Sequence, residues 1–222
     1  MIRSHLTTLA CLFALALGST LPTAASSPPA QDPWKAVEEA IGKGLPKTAI
    51  ERLDPILEAA LASGAYPQAV KALGTKISLE GEIQGERAEE RIARLEKTIP
   101  DWPEATHPIL ETVLAQWYWS FFQQNRWRFL QRTRTVEPPG EDILTWDLPR
   151  ILAEIDAHFS AALADPETLE AIPIASYDSL LEKGTVPDSY RPTLYDFIAH
   201  EALRFYQAGE QVLQQQRGLE LR

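Results

Sequence analysis

Chemistry needs acids, ligands or nucleophiles held at fixed spacing, and YDFIAHEALRF (residues 195–205) comes nearest to supplying them. Asp196 and His200 stand four residues apart, which puts both on one face of a helix, with Glu201 adjacent. Zinc accepts a carboxylate and an imidazole at that spacing, but it needs further ligands. The remaining histidines are scattered: His5 near the N-terminus, His107 before a proline, and His158 in another helical segment. HExxH is absent. Opposite the polar stripe, Tyr195, Ile198, Ala199, Ala202 and Tyr206 make an apolar one. An ordinary amphipathic helix accounts for the segment, with Asp196 and His200 bonded to a neighbour. No metal ligand is assigned, and an exported metal-dependent hydrolase using Asp196 and His200 is kept only as a rival.

The second concentration of special residues runs from Trp117 to Phe129, with Tyr118, Trp119, Phe121, Phe122 and Trp127 between them. An aromatic groove for a sugar, a lipid or a partner helix is one use for such rings. They cannot all face one way, however: Trp117 and Phe121 share one helical stripe, and Tyr118, Phe122 and Asn125 share the next. The simpler expectation is a central helix buried on most sides, its indole and phenol groups finding local partners. Arg126, Arg128, Arg132 and Arg134 interleave with these rings. In a basic protein that pattern suggests RNA contact. Here 31 acidic against 21 basic residues give a formal charge of −10, which repels nucleic acid, so pairing with acidic helices is expected instead.

Other catalytic signatures are missing. There is no phosphate-binding glycine loop and no GxSxG. Carboxylates are so numerous that no catalytic pair stands out. The expectation is a protein that is not an enzyme, with no catalytic, cofactor-binding or metal residues and no cofactor.

The elements that would position any such groups are helices punctuated by Gly and Pro, and the class is all-α. Asp32 caps a helix with Pro33 at its first position, ending at Gly42 or Gly44. The next helix buries Leu53, Ile56, Leu57, Ala60 and Leu61 and stops at Gly64, with Pro55 marking a kink or a restart. Val70, Leu73, Ile77 and Leu79 form the buried side of a third. Ile92, Leu95 and Ile99 give a charged outer helix a single apolar stripe. Stacked helical hairpins follow, tetratricopeptide-like or as an irregular solenoid or bundle, although no clean repeat period is visible. The helical hairpins span 34–134, TVEPPGE (135–141) is a break, and a C-terminal helical part (142–217) packs on the aromatic core. AIPIA (171–175) is the one stretch with some capacity to pair as strand. In DILTWDLPRIL (142–152), Asp142 and Thr145 are capping residues, Trp146 and Asp147 sit in the first turn, and Leu148, Ile151, Leu152 and Ile155 recur at helical spacing. Trp146 is expected to anchor this helix to the aromatic core, which Tyr190, Tyr195 and Phe197 close from the last helix.

The N-terminus points to export. Arg3, the apolar run LACLFALALGSTL and the small residues PTAAS have the layout of a secretory signal peptide (1–25), cleaved after Ala25 and followed by a linker (26–33). The run is too short to span a bilayer, and no second segment is long enough, so no integral membrane span is expected. Cys11 lies near the start of the run rather than behind it, which disfavours a lipid anchor. It is also the single cysteine, so the mature chain has no disulfide, thiolate nucleophile or cysteine ligand, and its charge becomes −11 once Arg3 is lost. A periplasmic or extracellular protein is expected.

Four segments in order carry a family resemblance: KGLPKTAIERLDPILEAALASGAYPQAVKAL (43–73), AQWYWSFFQQNRWRFLQRT (115–133), DILTWDLPRIL (142–152) and YRPTLYDFIAHEALRFY (190–206). Together, behind a signal peptide, they resemble the N-terminal helical region of bacterial alpha-2-macroglobulin-like proteins. TWDL and RPTLYDF are the most specific phrases. Full-length members of that family trap proteases at the envelope: a bait segment is cleaved and, in many, an internal thioester couples the attacker. The thioester needs Cys–x–Glu–Gln, whereas Cys11 is followed by Leu-Phe-Ala, so the resemblance covers only the leading piece, a truncated or split form without thioester or bait. It implies a non-enzymatic scaffold or docking domain whose partner is another protein or the remaining domains of such a trap. The rival is a tetratricopeptide-like envelope adaptor that holds a peptide or protein in a concave groove.

Overall fold

Side-chain caps open some of the helices, and left-handed glycines follow the first three. The computed structural model describes residues 32–131, 140, 142–181, 184–185 and 187–220, the stretch 210–220 as helical backbone only. The proposed signal peptide, Cys11, most of the linker, Arg132, Arg134 and most of the 135–141 break lie outside the described residues.

The described residues form nine α-helices: α1 (Pro33–Gly42), α2 (Pro46–Ser63), α3 (Tyr66–Gln84), α4 (Ala88–Thr98), α5 (His107–Gln124), α6 (Arg126–Gln131), α7 (Leu148–Ala162), α8 (Pro166–Glu170) and α9 (Leu194–Glu220). Short 3-10 turns join several of them. No strand occurs among the described residues; AIPIA contributes only an isolated bridge between Pro173 and Thr193. The all-α class is therefore correct.

The Asp32 carboxylate accepts the Trp34 amide at 3.0 Å, and Pro33 opens α1 as expected. The first three helix ends share one device. Gly64, at φ 70°, adopts the left-handed conformation that lets the Ala65 amide reach back to the Ala60 carbonyl at 2.8 Å. The same six-residue closure recurs from Leu45 to Ala40 and from Glu86 to Gly81. Pro55 neither stops nor restarts α2, which is assigned as one helix through it.

Two apolar clusters result. The smaller one joins α1, α2 and α3 through Trp34, Val37, Leu53, Ile56, Ala72 and Leu79. The larger one runs from α3 to α9 around α5, whose Leu114, Phe121 and Phe122 meet Phe129 of α6 and Ile151, Ile155 and Phe159 of α7. Helix α3 serves both, giving Val70, Leu73 and Ile77 to the larger. Each fully buried side chain of this size contributes about 1.5–3 kcal/mol.

Three local expectations need correction. Asp147, not Asp142 or Thr145, caps α7, accepting the Arg150 amide at 2.9 Å; Asp142 caps the preceding 3-10 turn (Ile143–Thr145). Tyr190 is 77% exposed and closes nothing, while Tyr195 and Phe197 pack only at the margin of the core. Helix α9 is also rotated from the expected phase. Its buried stripe is Leu194, Ile198, Ala202 and Phe205, and Tyr206 lies at the surface with its hydroxyl donating to Asp156 at 2.7 Å. A tyrosine ring is only half apolar, so Phe205 wins the interior position.

Candidate functional site

The polar stripe that sequence spacing singled out is occupied by structural duties. Thr193 and Asp196 form a reciprocal cap at the start of α9: the Thr193 amide donates to Asp196 Oδ2 at 3.0 Å, and the Asp196 amide donates to Thr193 Oγ1 at 3.2 Å. His200 is exposed one turn later. Glu201 accepts from Gln116 of α5 at 3.2 Å and from Arg204. Asp196 therefore starts a helix, and among the described residues it is not grouped with His200 as a ligand pair.

The aromatic stretch divides between core and surface. Tyr118, Phe121, Phe122 and Phe129 are buried, Trp117 and Trp119 are half-buried against the core, and Trp127 is 70% exposed. Arg128 donates to the Leu144 carbonyl and lies 5.8 Å from the Phe129 ring centre. His107 contacts the Trp102 carbonyl through Nε2 at 2.9 Å.

A different cluster has the character of a site. Helix α7 presents Arg150, Glu154 and His158 at successive i, i+4 positions, so all three share one face. Helix α5 brings Glu111 and Tyr118 to that face, and α4 brings Glu96. The rings of Trp146, Tyr118 and His158 form a continuous stack, with centroids 5.7 Å and then 5.4 Å apart and planes within 15°. Arg150 covers the Trp146 ring at 4.8 Å and pairs with Glu154 Oε2 at 2.7 Å.

His158 Nδ1 lies 2.6 Å from Glu111 Oε2. A carboxylate can only accept, so Nδ1 carries the proton, and in the neutral ring Nε2 keeps a lone pair. Nε2 is buried without a hydrogen-bond partner and faces Glu154 Oε1 at 3.7 Å. The Tyr118 hydroxyl donates to Glu96 Oε2 at 3.3 Å. Burial, reinforced by the Glu96 and Glu154 charges, holds the Tyr118 phenol far above its ordinary range, so it remains a donor. The cluster can store a proton or hold a cation; it contains no Ser, Thr or Cys nucleophile.

Sequence reasoning missed this site because its groups come from three helices. The only local signal was the Arg150, Glu154, His158 spacing, which by itself is indistinguishable from a solvated helix face. No family model, curated protein or solved structure matches the chain. The alpha-2-macroglobulin resemblance thus rests on the quoted segments alone.

Proposed function

We propose that this chain is an exported, non-enzymatic helical module of stacked hairpins, acting as a scaffold or docking domain of the kind at the front of bacterial alpha-2-macroglobulin-like protease traps. The observation that supports this reading is the use made of its two most specific phrases. In TWDL, Trp146 stacks on Tyr118 and Asp147 caps α7. In RPTLYDF, Thr193 and Asp196 cap α9, and Leu194 is buried. TWDL ties α7 to α5 through Trp146 and Tyr118, and RPTLYDF sets the start of α9, as landmarks of a scaffold would.

The test reads the DNA that follows codon 222. A continuation encoding β-sandwich domains and a bait segment supports the docking role, whereas a stop followed by an unrelated gene favours the adaptor. The purified chain should also leave proteases active and incorporate no methylamine; covalent trapping would sink the proposal. The adaptor reading draws on a mainly apolar groove of about 450 Å³ between α3 and α5, lined by Ile41, Val70, Leu73, Val113, Trp117 and Leu180. Trp117→Ala should weaken capture of a peptide partner if that groove is used.

A further inference from the structure

We infer that His158, Glu154 and Glu96 form a binding site for a zinc-like divalent transition-metal ion, with Glu111 orienting the imidazole. The inference is independent of the docking role. One possible donor atom from each of the three side chains lies within 4.8 Å of the other two. A tetrahedral zinc ion with bonds of about 2.0–2.2 Å holds its donors about 3.4 Å apart. The Nε2 to Glu154 Oε1 separation is already 3.7 Å, and Glu96 is an exposed side chain on α4 that can close the remaining gap.

The tautomer is the independent sign of a ligand. Glu111 accepts from Nδ1–H at 2.6 Å, and in the neutral ring the Nε2 lone pair is then buried without a hydrogen-bond partner. A buried acceptor without a donor is costly, and a metal ion resolves that cost. Carboxylate, imidazole and metal in line is also the arrangement by which second-shell groups fix and strengthen a histidine ligand. Glu154 is divided in the same sense: Oε2 holds Arg150 at 2.7 Å while Oε1 faces the imidazole.

Charge points the same way. Glu96, Glu111 and Glu154 set three carboxylates around His158 with Arg150 as a paired cation, so the cluster attracts a further cation. An imidazole donor selects zinc-like metals over calcium or magnesium, which prefer all-oxygen shells. Three protein donors leave a fourth position for water or a partner's ligand. The ion would clamp α4 to α7, adding a cross-link to the contacts each makes with α5.

The experiment is a calorimetric titration of Zn²⁺ into the tag-free, chelator-stripped full chain, with Ca²⁺ titrated in parallel. One equivalent of Zn²⁺ should bind with micromolar or tighter affinity and raise the melting temperature, and Ca²⁺ should do neither. Glu96→Gln, whose side-chain oxygen can still accept from Tyr118, should weaken Zn²⁺ binding by about tenfold or more. His158→Gln should abolish it. Failure to bind one equivalent at about 100 μM Zn²⁺, or binding that survives Glu96→Gln undiminished, would overturn the assignment. The second result needs no His158 variant that folds.

Discussion

Trp146 is where the helix scaffold and the carboxylate-ringed histidine meet. Its indole N–H donates to the Gly140 carbonyl at 2.7 Å, one face stacks on Tyr118, and Arg150 lies over the ring. Removing a buried ring of this size costs about 3–5 kcal/mol, so Trp146→Ala should lower the urea midpoint markedly and loosen Tyr118 and His158 with it. Denaturant titration followed by far-ultraviolet circular dichroism checks the first part. Tyr118 gives a pH signature. Its folded-state pKa is raised above the ordinary 10.0 by burial and by the Glu96 and Glu154 charges. The neutral phenol is therefore favoured by folding, and its contribution is undiminished below about pH 10 and falls as pH rises from there. Tyr118→Phe removes this linkage, so the loss of stability between neutral pH and pH 11 should be shallower in the variant. Thermal melts across that range decide it.

Among the helices, the turns and the interiors make opposite demands on glycine. Gly64 sits at φ 70°, where a side chain costs about 1–2 kcal/mol, so Gly64→Ala should destabilise the fold by that amount. Gly74 lies inside α3, and a methyl group there would meet nothing within 4 Å. Gly74→Ala should instead stabilise by about 0.8–1 kcal/mol through helix propensity. Paired denaturation curves compare the two directly. These elements were the part of the protein most open to reading from sequence. Asp32, Pro33 and Gly64 act on the residues beside them, and Val70, Leu73, Ile77 and Leu79 mark a buried side at helical spacing. The phase of α9 was harder, because Tyr195, Phe205 and Tyr206 are all aromatic and only packing against Trp119 and Phe159 selects Phe205. The site was illegible for a stronger reason. Glu96, Tyr118 and His158 are brought together by the packing of α4, α5 and α7, and no local pattern records a meeting of residues so far apart in the chain.

In the whole molecule, stability should be uneven. Helices α1 and α2 rest on the smaller cluster, with eight buried residues, while α5 and α7 lie within the larger one. Amide protons of α1 and α2 should exchange with solvent well before those of α5 and α7, which hydrogen-exchange mass spectrometry resolves helix by helix. Uniform protection across all four would show that α3 couples the two clusters into one cooperative unit. The turns at Gly44, Gly64 and Gly85 add a constraint on how such a chain can change length. Each follows its helix with the same six-residue hydrogen bond at a left-handed glycine, so the exit from one helix and the entry to the next are set within two or three residues. An insertion that leaves the downstream helices in place must therefore avoid these turns and fall elsewhere in the chain.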